Sequence, residues 1–406
     1  MKRAIFLALF ATSLAAAEPE IPLQTALEAN RFPIALADGK LSGSGMEVIA
    51  GSATTAQFVM ISEPHNSRRV PEWTTALFEY LHRADSFNYL AVENGAAIMD
   101  LYSKDRDHDA AVRTGRRYPN GLQFTTDQEL TMFADVAKIS TAKSAPLWGV
   151  DRPTGVLETF ERLSAIAATA EARKAAEAMA AEARPYEQER YGKNVSYLAE
   201  IAPERLELFA RTYRAVPGSE AEFLVRQLIT AVRNIRDFRD AATRGTGYLS
   251  NLEREEIMKE LFIRDYRRAE RGGDKSPRVL LKLGHWHLIR GMSWGHVFTL
   301  GNFVSELAAS HGLGSLSIGV FLNNPTGDYG VLSSGADYKP LADAALADGD
   351  TLIDVRPLRP LVHSGRVKVN AEMERVIFGF DLVLLMRSDR GDYRLLQTAN
   401  FRPYPP

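Results

Sequence analysis

The chain contains no cysteine. That excludes a disulfide scaffold, a thiolate zinc centre, a cysteine nucleophile and a lipid-bearing cysteine. Any metal would have to be held by histidine, aspartate or glutamate. An excess of one charge is also lacking: 49 Lys and Arg stand against 51 Asp and Glu, a net charge of −2. Nothing in that balance points to nucleic acid or to an anionic membrane. Beyond the N-terminus no stretch reaches the roughly 18 apolar residues of a membrane-spanning helix. A Gly-x-Ser-x-Gly elbow is missing too, which disfavours a covalent intermediate on serine. The chain shows no internal repeat and no flexible linker.

What is present begins with Met1-Lys2-Arg3, a short apolar run and the small residues Ala15–Ala17. This order predicts a secretory signal peptide over 1–17 and a periplasmic or secreted mature protein, residues 18–406, forming a single domain. Apolar runs at 57–63, 88–95 and 145–151 read as strands, separated by amphipathic helical spacing from Pro71 and from Leu130. Thr126 and Glu129 read as a capping box before the second helix. Strand, helix, strand, helix, strand in succession argues a parallel sheet. Between about 155 and 271 no strand is legible. That stretch is rich in Ala, Glu and Arg, with capping boxes expected at Ser219–Glu222 and Ser250–Glu253. Strands resume at 278–284, 316–321, 351–355 and 381–386. The expected fold is α/β: a mainly parallel central sheet flanked by helices, with a large all-helical insertion over the C-terminal edge of the sheet.

Three predicted strands end in carboxylates: Glu63, Glu93 and Asp151. In open α/β sheets ligands gather at the C-terminal strand ends. Glu63 is followed by Pro64 and His65, and extended geometry puts positions 63 and 65 on one side, so the carboxylate can orient the imidazole. Arg68 and Arg69 follow at once. A fourth strand end carries His285-Trp286-His287, which on an extended segment would turn both histidines the same way, with Lys282 and Arg290 flanking them. Glu93 needs a cationic partner if it is buried, and Arg68, Arg69 or a histidine are the candidates.

The blocks "VMISEPHNSRR", "YLAVENG", "LWGVDRP", "REEIMKELF" and "KLGHWHLIRG…TLGNFVSELAASHGLGSLSIGV" occur in this order. Together they resemble the erythromycin esterase-like hydrolases, a family grouped with the ChaN-like haem-binding lipoproteins and the TraB/Tiki proteins. The resemblance covers about residues 55–390. It implies an essential histidine at His65 beside Glu63, an arginine at Arg68 or Arg69, a strand-end glutamate at Glu93 and a second histidine at His287, with His285 as its neighbour. The leading expectation is a hydrolase of an ester, lactone or related acyl bond. His65, Glu63, Glu93, His287 and Arg68 would be catalytic, and Arg69, Asp151, His285 and Arg290 would contact a small-molecule substrate. Two alternatives use the same side chains: a hydrolase with a divalent metal on the Glu/His cluster, and a periplasmic protein that binds haem or another ligand. The leading reading needs neither a cofactor nor a nucleic-acid partner, and the oligomeric state is not legible.

Overall fold

The computed structural model describes residues 19–65, 67–123, 126–188, 197–323 and 335–387. The expected signal peptide lies outside them. Nine strands form one sheet: β1 Arg31–Ala37, β2 Lys40–Ser42, β3 Ala56–Glu63, β4 Tyr89–Gly95, β5 Leu147–Asp151, β6 Val279–Gly284, β7 Gly314–Leu322, β8 Asp350–Asp354 and β9 Leu382–Met386. Their order is β2-β1-β8-β9-β7-β3-β6-β4-β5. The six strands from β9 to β5 are mutually parallel. The other three are joined on antiparallel, so the sheet is mixed. β1 and β2, which no sequence expectation covered, extend that antiparallel edge.

Strand alternation divides the core. Phe58 and Met60 of β3 face one side with Tyr89, Trp148 and Leu281; Val59 and Ile61 face the other with Leu90, Val92 and Leu280. Both faces are covered, so β3 to β6 are buried along their whole length, the usual state of parallel strands. The Arg69–Asp85 and Asp127–Ile139 helices cover the second face with Trp73, Leu77, Leu130 and Phe133.

Between β5 and β6 the described residues hold seven helices, from Leu157 to Arg271, and no strand. The Gly247–Arg271 helix does not lie over the strand ends. Its Met258, Leu261, Phe262 and Tyr266 pack along the first face of the sheet, and Phe262 meets Phe58 edge to face at 5.5 Å. Both rings are fully buried, each burial worth roughly 1.5–3 kcal/mol. Only the first half of this helix reaches the C-terminal strand ends, where it delivers Arg254 and Glu255. The expected cap at Ser250 is absent, because Ser250 lies inside the helix with its hydroxyl on the Asn234 carbonyl. The cap at Ser219 is present, its hydroxyl accepting from the Glu222 N–H. No helix among the described residues is long and apolar enough to cross a membrane.

Candidate active site

The C-terminal ends of β3, β6, β4 and β5 stand side by side, so Glu63, Gly284, Glu93 and Asp151 line one edge. Glu63 and Glu93 are buried. His65, two residues past β3, lies between them. Its Nδ1 is 3.6 Å from Glu63 and its Nε2 is 3.7 Å from Glu93, with 31 % of the side chain exposed. Burial pushes this imidazole toward neutrality. The hydrogen-bonding and charged influence of Glu63, with the charge of Glu93, outweighs burial and raises its pKa.

Gly284 explains how His65 fits there. A Cβ at this position would lie 2.7 Å from His65 Nε2 and 3.3 Å from Glu93, so only a glycine lets the ring approach the end of β6. Its N–H donates to Glu93 Oε2 at 2.8 Å.

Each carboxylate is held from behind. Lys282, buried in β6, donates to Glu63 at 2.7 Å and to Glu129 at 2.5 Å. The Glu129 N–H takes the Thr126 hydroxyl as its cap, as expected, but the Glu129 side chain turns inward to the lysine. Arg254 donates to Glu93 at 2.7 Å and grips Asp151 through two nitrogens at 3.1 and 2.5 Å. Burial raises the energy of the Glu93 carboxylate, yet His287, Arg254 and His65 hold its pKa well below the ordinary range.

His287 sits on the far side of Glu93, buried. Its Nδ1 is 2.6 Å from Glu255, and its Nε2 is 3.5 Å from Glu93. Burial disfavours its cation, but the two carboxylates prevail over burial and over Arg254 and raise its pKa to about 9. At neutral pH His287 is therefore an imidazolium. Glu255 is fixed in turn, since its other oxygen accepts from the Leu300 N–H at 2.7 Å.

The His-Trp-His segment is not extended. It forms one helical turn, His285–Leu288, and residues two apart on a helix point to nearly opposite sides. His285 therefore turns away from His287. Its Nε2 donates to the Val320 carbonyl at 2.7 Å, and its ring packs on Phe321 and Phe380. Burial lowers its pKa to about 4, which fixes it as a neutral packing group.

The structure brings together Glu63, His65, Glu93 and His287, with Asp151 joined to them through Arg254. The catalytic candidate Arg68 and the contact candidates Arg69 and Arg290 form no ion pair with these carboxylates among the described residues. Arg69 pairs with Asp350 at 2.9 and 2.7 Å. Arg290 pairs with Asp381 at the start of β9. Arg68 occupies the N-cap of the Arg69–Asp85 helix and enters no ion pair among the described residues. The expected arginine partner of Glu93 is thus Arg254, from a distant helix. Lys282, Glu129 and Glu255 join the cluster as well, beyond the residues expected there. Arg254 and Glu255 open the block REEIMKELF, and their signal was charge on the helix face shared with Ile257, Met258 and Leu261.

Among the described residues no group of three His, Asp or Glu side chains is arranged to hold a metal ion. The carboxylates nearest His65 already bind Lys282, Arg254 and the Gly284 N–H.

No family model matches the chain, and no curated protein matches its sequence. Solved structures do match in fold. A mutant of the erythromycin esterase EreC in its open conformation aligns with a TM-score of 0.60 at 14% identity, over 91% of this chain and 100% of that one. A structural-genomics protein from Bacillus cereus aligns at 0.58 and 14%, over 90% and 96%. A succinoglycan biosynthesis protein aligns at 0.55 and 12%, over 90% and 96%. The chain therefore has the fold of the erythromycin esterase-like proteins, as the ordered sequence blocks implied. Identities this low speak for fold alone.

Proposed function

We propose that the protein is a periplasmic or secreted hydrolase of an ester, lactone or related acyl bond that uses water activated by His65, without a covalent enzyme intermediate and without a metal. The observation that carries this reading is the partly exposed His65 ring standing between two buried carboxylates, with a second, cationic histidine on the other side of Glu93. Neutral His65 removes a proton from water as the water oxygen bonds to the acyl carbon. The carbonyl oxygen becomes an oxyanion, and the His287 imidazolium supplies the positive charge that stabilises it. Collapse of the tetrahedral species breaks the bond to the leaving oxygen, which takes the proton back from His65. Glu63 orients His65 and favours its transient cation; Glu93, held by Arg254 and Gly284, does the same from the other ring nitrogen. Of the helices that follow β5, the one over Gly247–Arg271 brings Arg254 and Glu255 to the site.

The test is a panel of esters and lactones run with and without chelator, with His65→Asn beside the unaltered protein. Hydrolysis that survives prolonged chelation and disappears in His65→Asn supports the reading. Activity lost to chelator and restored by a divalent ion would replace it with the metal-dependent alternative. Turnover retained in His65→Asn would remove His65 as the base.

A further inference from the structure

One sizeable cavity of the protein lies away from the Glu/His cluster. It has a volume of about 980 Å³ and lies beside the edge strand β5, near its N-terminal end, between the Ala96–Tyr102 helix, the start of the Glu220–Arg239 helix and the second half of the Gly247–Arg271 helix. None of its lining residues belongs to the cluster described above. Eight cationic and four acidic side chains line it, in a chain whose overall charge is only −2. The concentration is therefore local.

The acids cancel only part of the positive charge. Glu161 is taken by Arg117 and Arg184, Glu220 by Arg162, and Asp100 by Arg268. Burial and the neighbouring Glu187 raise the fourth acid, Glu158, to about 8, so it carries little charge at neutral pH. Lys104, Arg106, Lys143 and Arg271 line the cavity and enter no ion pair among the described residues. Arg264 lies over the Phe223 ring at 4.0 Å, with Asp100 and Asp265 at 3.8 and 3.7 Å, an arrangement that fixes a guanidinium in place.

We propose that this cavity binds a small polyanion bearing phosphate groups, at a site separate from the hydrolytic one. Ligand pockets run from roughly 300 to 1,000 Å³ and are mostly apolar; this one has the volume but is walled by guanidinium and ammonium groups. Among the cations without an ion pair, the guanidiniums of Arg106 and Arg271 offer planar donor forks that match phosphate oxygens two at a time, and Lys104 and Lys143 add point charges. The proposal does not depend on the hydrolase reading, so either can fail without the other.

The experiment is calorimetric titration of the full chain with pyrophosphate, in phosphate-free buffer of low ionic strength, with citrate as a carboxylate comparison. The double variant Lys143→Glu/Arg271→Glu reverses two exposed charges that hold no ion pair among the described residues. Lys40→Glu, on β2 at the opposite edge of the sheet, is the control. Saturable pyrophosphate binding is expected, at least about tenfold weaker in the double variant, the loss of one charge-assisted hydrogen bond or more, and unchanged in the control. Circular dichroism melts establish that the variants are folded. Absence of saturable binding, equal binding by the folded double variant, an equal loss in the control, or tighter binding of citrate than pyrophosphate would each overturn the proposal.

Discussion

Replacing Glu255 by Gln tests the electrostatics of the cluster without requiring a known substrate. His287 faces three charged groups: Glu255 at 2.6 Å, Glu93 at 3.5 Å, and Arg254, which opposes its protonation. The amide keeps the size of the side chain, and its oxygen can still accept from the Leu300 N–H. Its NH₂ then faces His287 Nδ1, which must become an acceptor, and that favours the neutral ring. A hydrogen bond to a charged group contributes about 1.5–3 kcal/mol, equivalent to roughly one to two pKa units. His287 should therefore titrate near 7–8 in the variant, against about 9 in the unaltered protein. A histidine NMR titration, with the resonance assigned by His287→Gln, reads this directly.

Stability must follow the same shift. The folded pKa of His287 lies above its ordinary value of 6.5. Its contribution is therefore complete below pH 6.5 and disappears as the pH rises through about 9. The full difference is on the order of 3 kcal/mol, so the unaltered protein should lose stability to urea between pH 7 and 9.5. Glu255→Gln should start less stable and lose much less over that interval. If His287 titrates below 7 in the unaltered protein, or if both proteins lose stability equally, the account of His287 as a resident cation is wrong.

His65→Ala should lower turnover of a confirmed substrate by about 10²–10⁴-fold and leave the urea midpoint nearly unchanged, since the ring is partly exposed beyond the end of its strand. In the unaltered protein, turnover of such a substrate should rise with pH through the raised pKa of His65, because only the neutral ring accepts a proton; activity that increases on acidification would contradict the base role. Gly284→Ala should reduce kcat while the protein still folds, because the new methyl displaces the tip of the His65 ring rather than backbone; full activity would show that the close approach of β6 to His65 is unimportant. Arg254→Met leaves Glu93 and Asp151 buried without their shared cation, a loss of about 3–5 kcal/mol, measurable as a lower urea midpoint at pH 7.

The strands that build the site could be read because parallel strands buried on both faces leave unbroken apolar runs, and their carboxylates mark where each run stops. β1 and β2 were harder. Pro33 interrupts the first and only three residues form the second. Their one local mark is Asp38-Gly39, where both residues have positive φ, as a tight hairpin requires. His285 and His287 show a different limit. Spacing suggested one shared face, but the chain enters a helical turn directly after Gly284 and sends the two rings apart. Partners over a hundred residues distant, such as Arg254 for Asp151 or Lys282 for Glu129, leave no local pattern beyond a charge on a face that is otherwise apolar.

The charges of the cluster also bear on what it can accept. Glu63, Glu93, Glu129, Asp151 and Glu255 meet there, against the fixed cations Lys282 and Arg254. Even with Glu129 drawn toward its neutral form by burial, acids outnumber the permanent cations. That imbalance is what raises the pKa of both His65 and His287. A site with this excess favours positive charge forming on an imidazole during reaction, which general-base activation of water requires. It disfavours a substrate that arrives as an anion, because a carboxylate or phosphate beside Glu63 and Glu93 would face repulsion before it reached His287. A neutral acyl bond meets no such barrier, and its oxyanion forms only as His65 becomes cationic. On the proposed hydrolase reading the cluster therefore favours neutral esters and lactones over anionic ones, and the unpaired cations that an anionic ligand needs lie instead around the cavity beside β5.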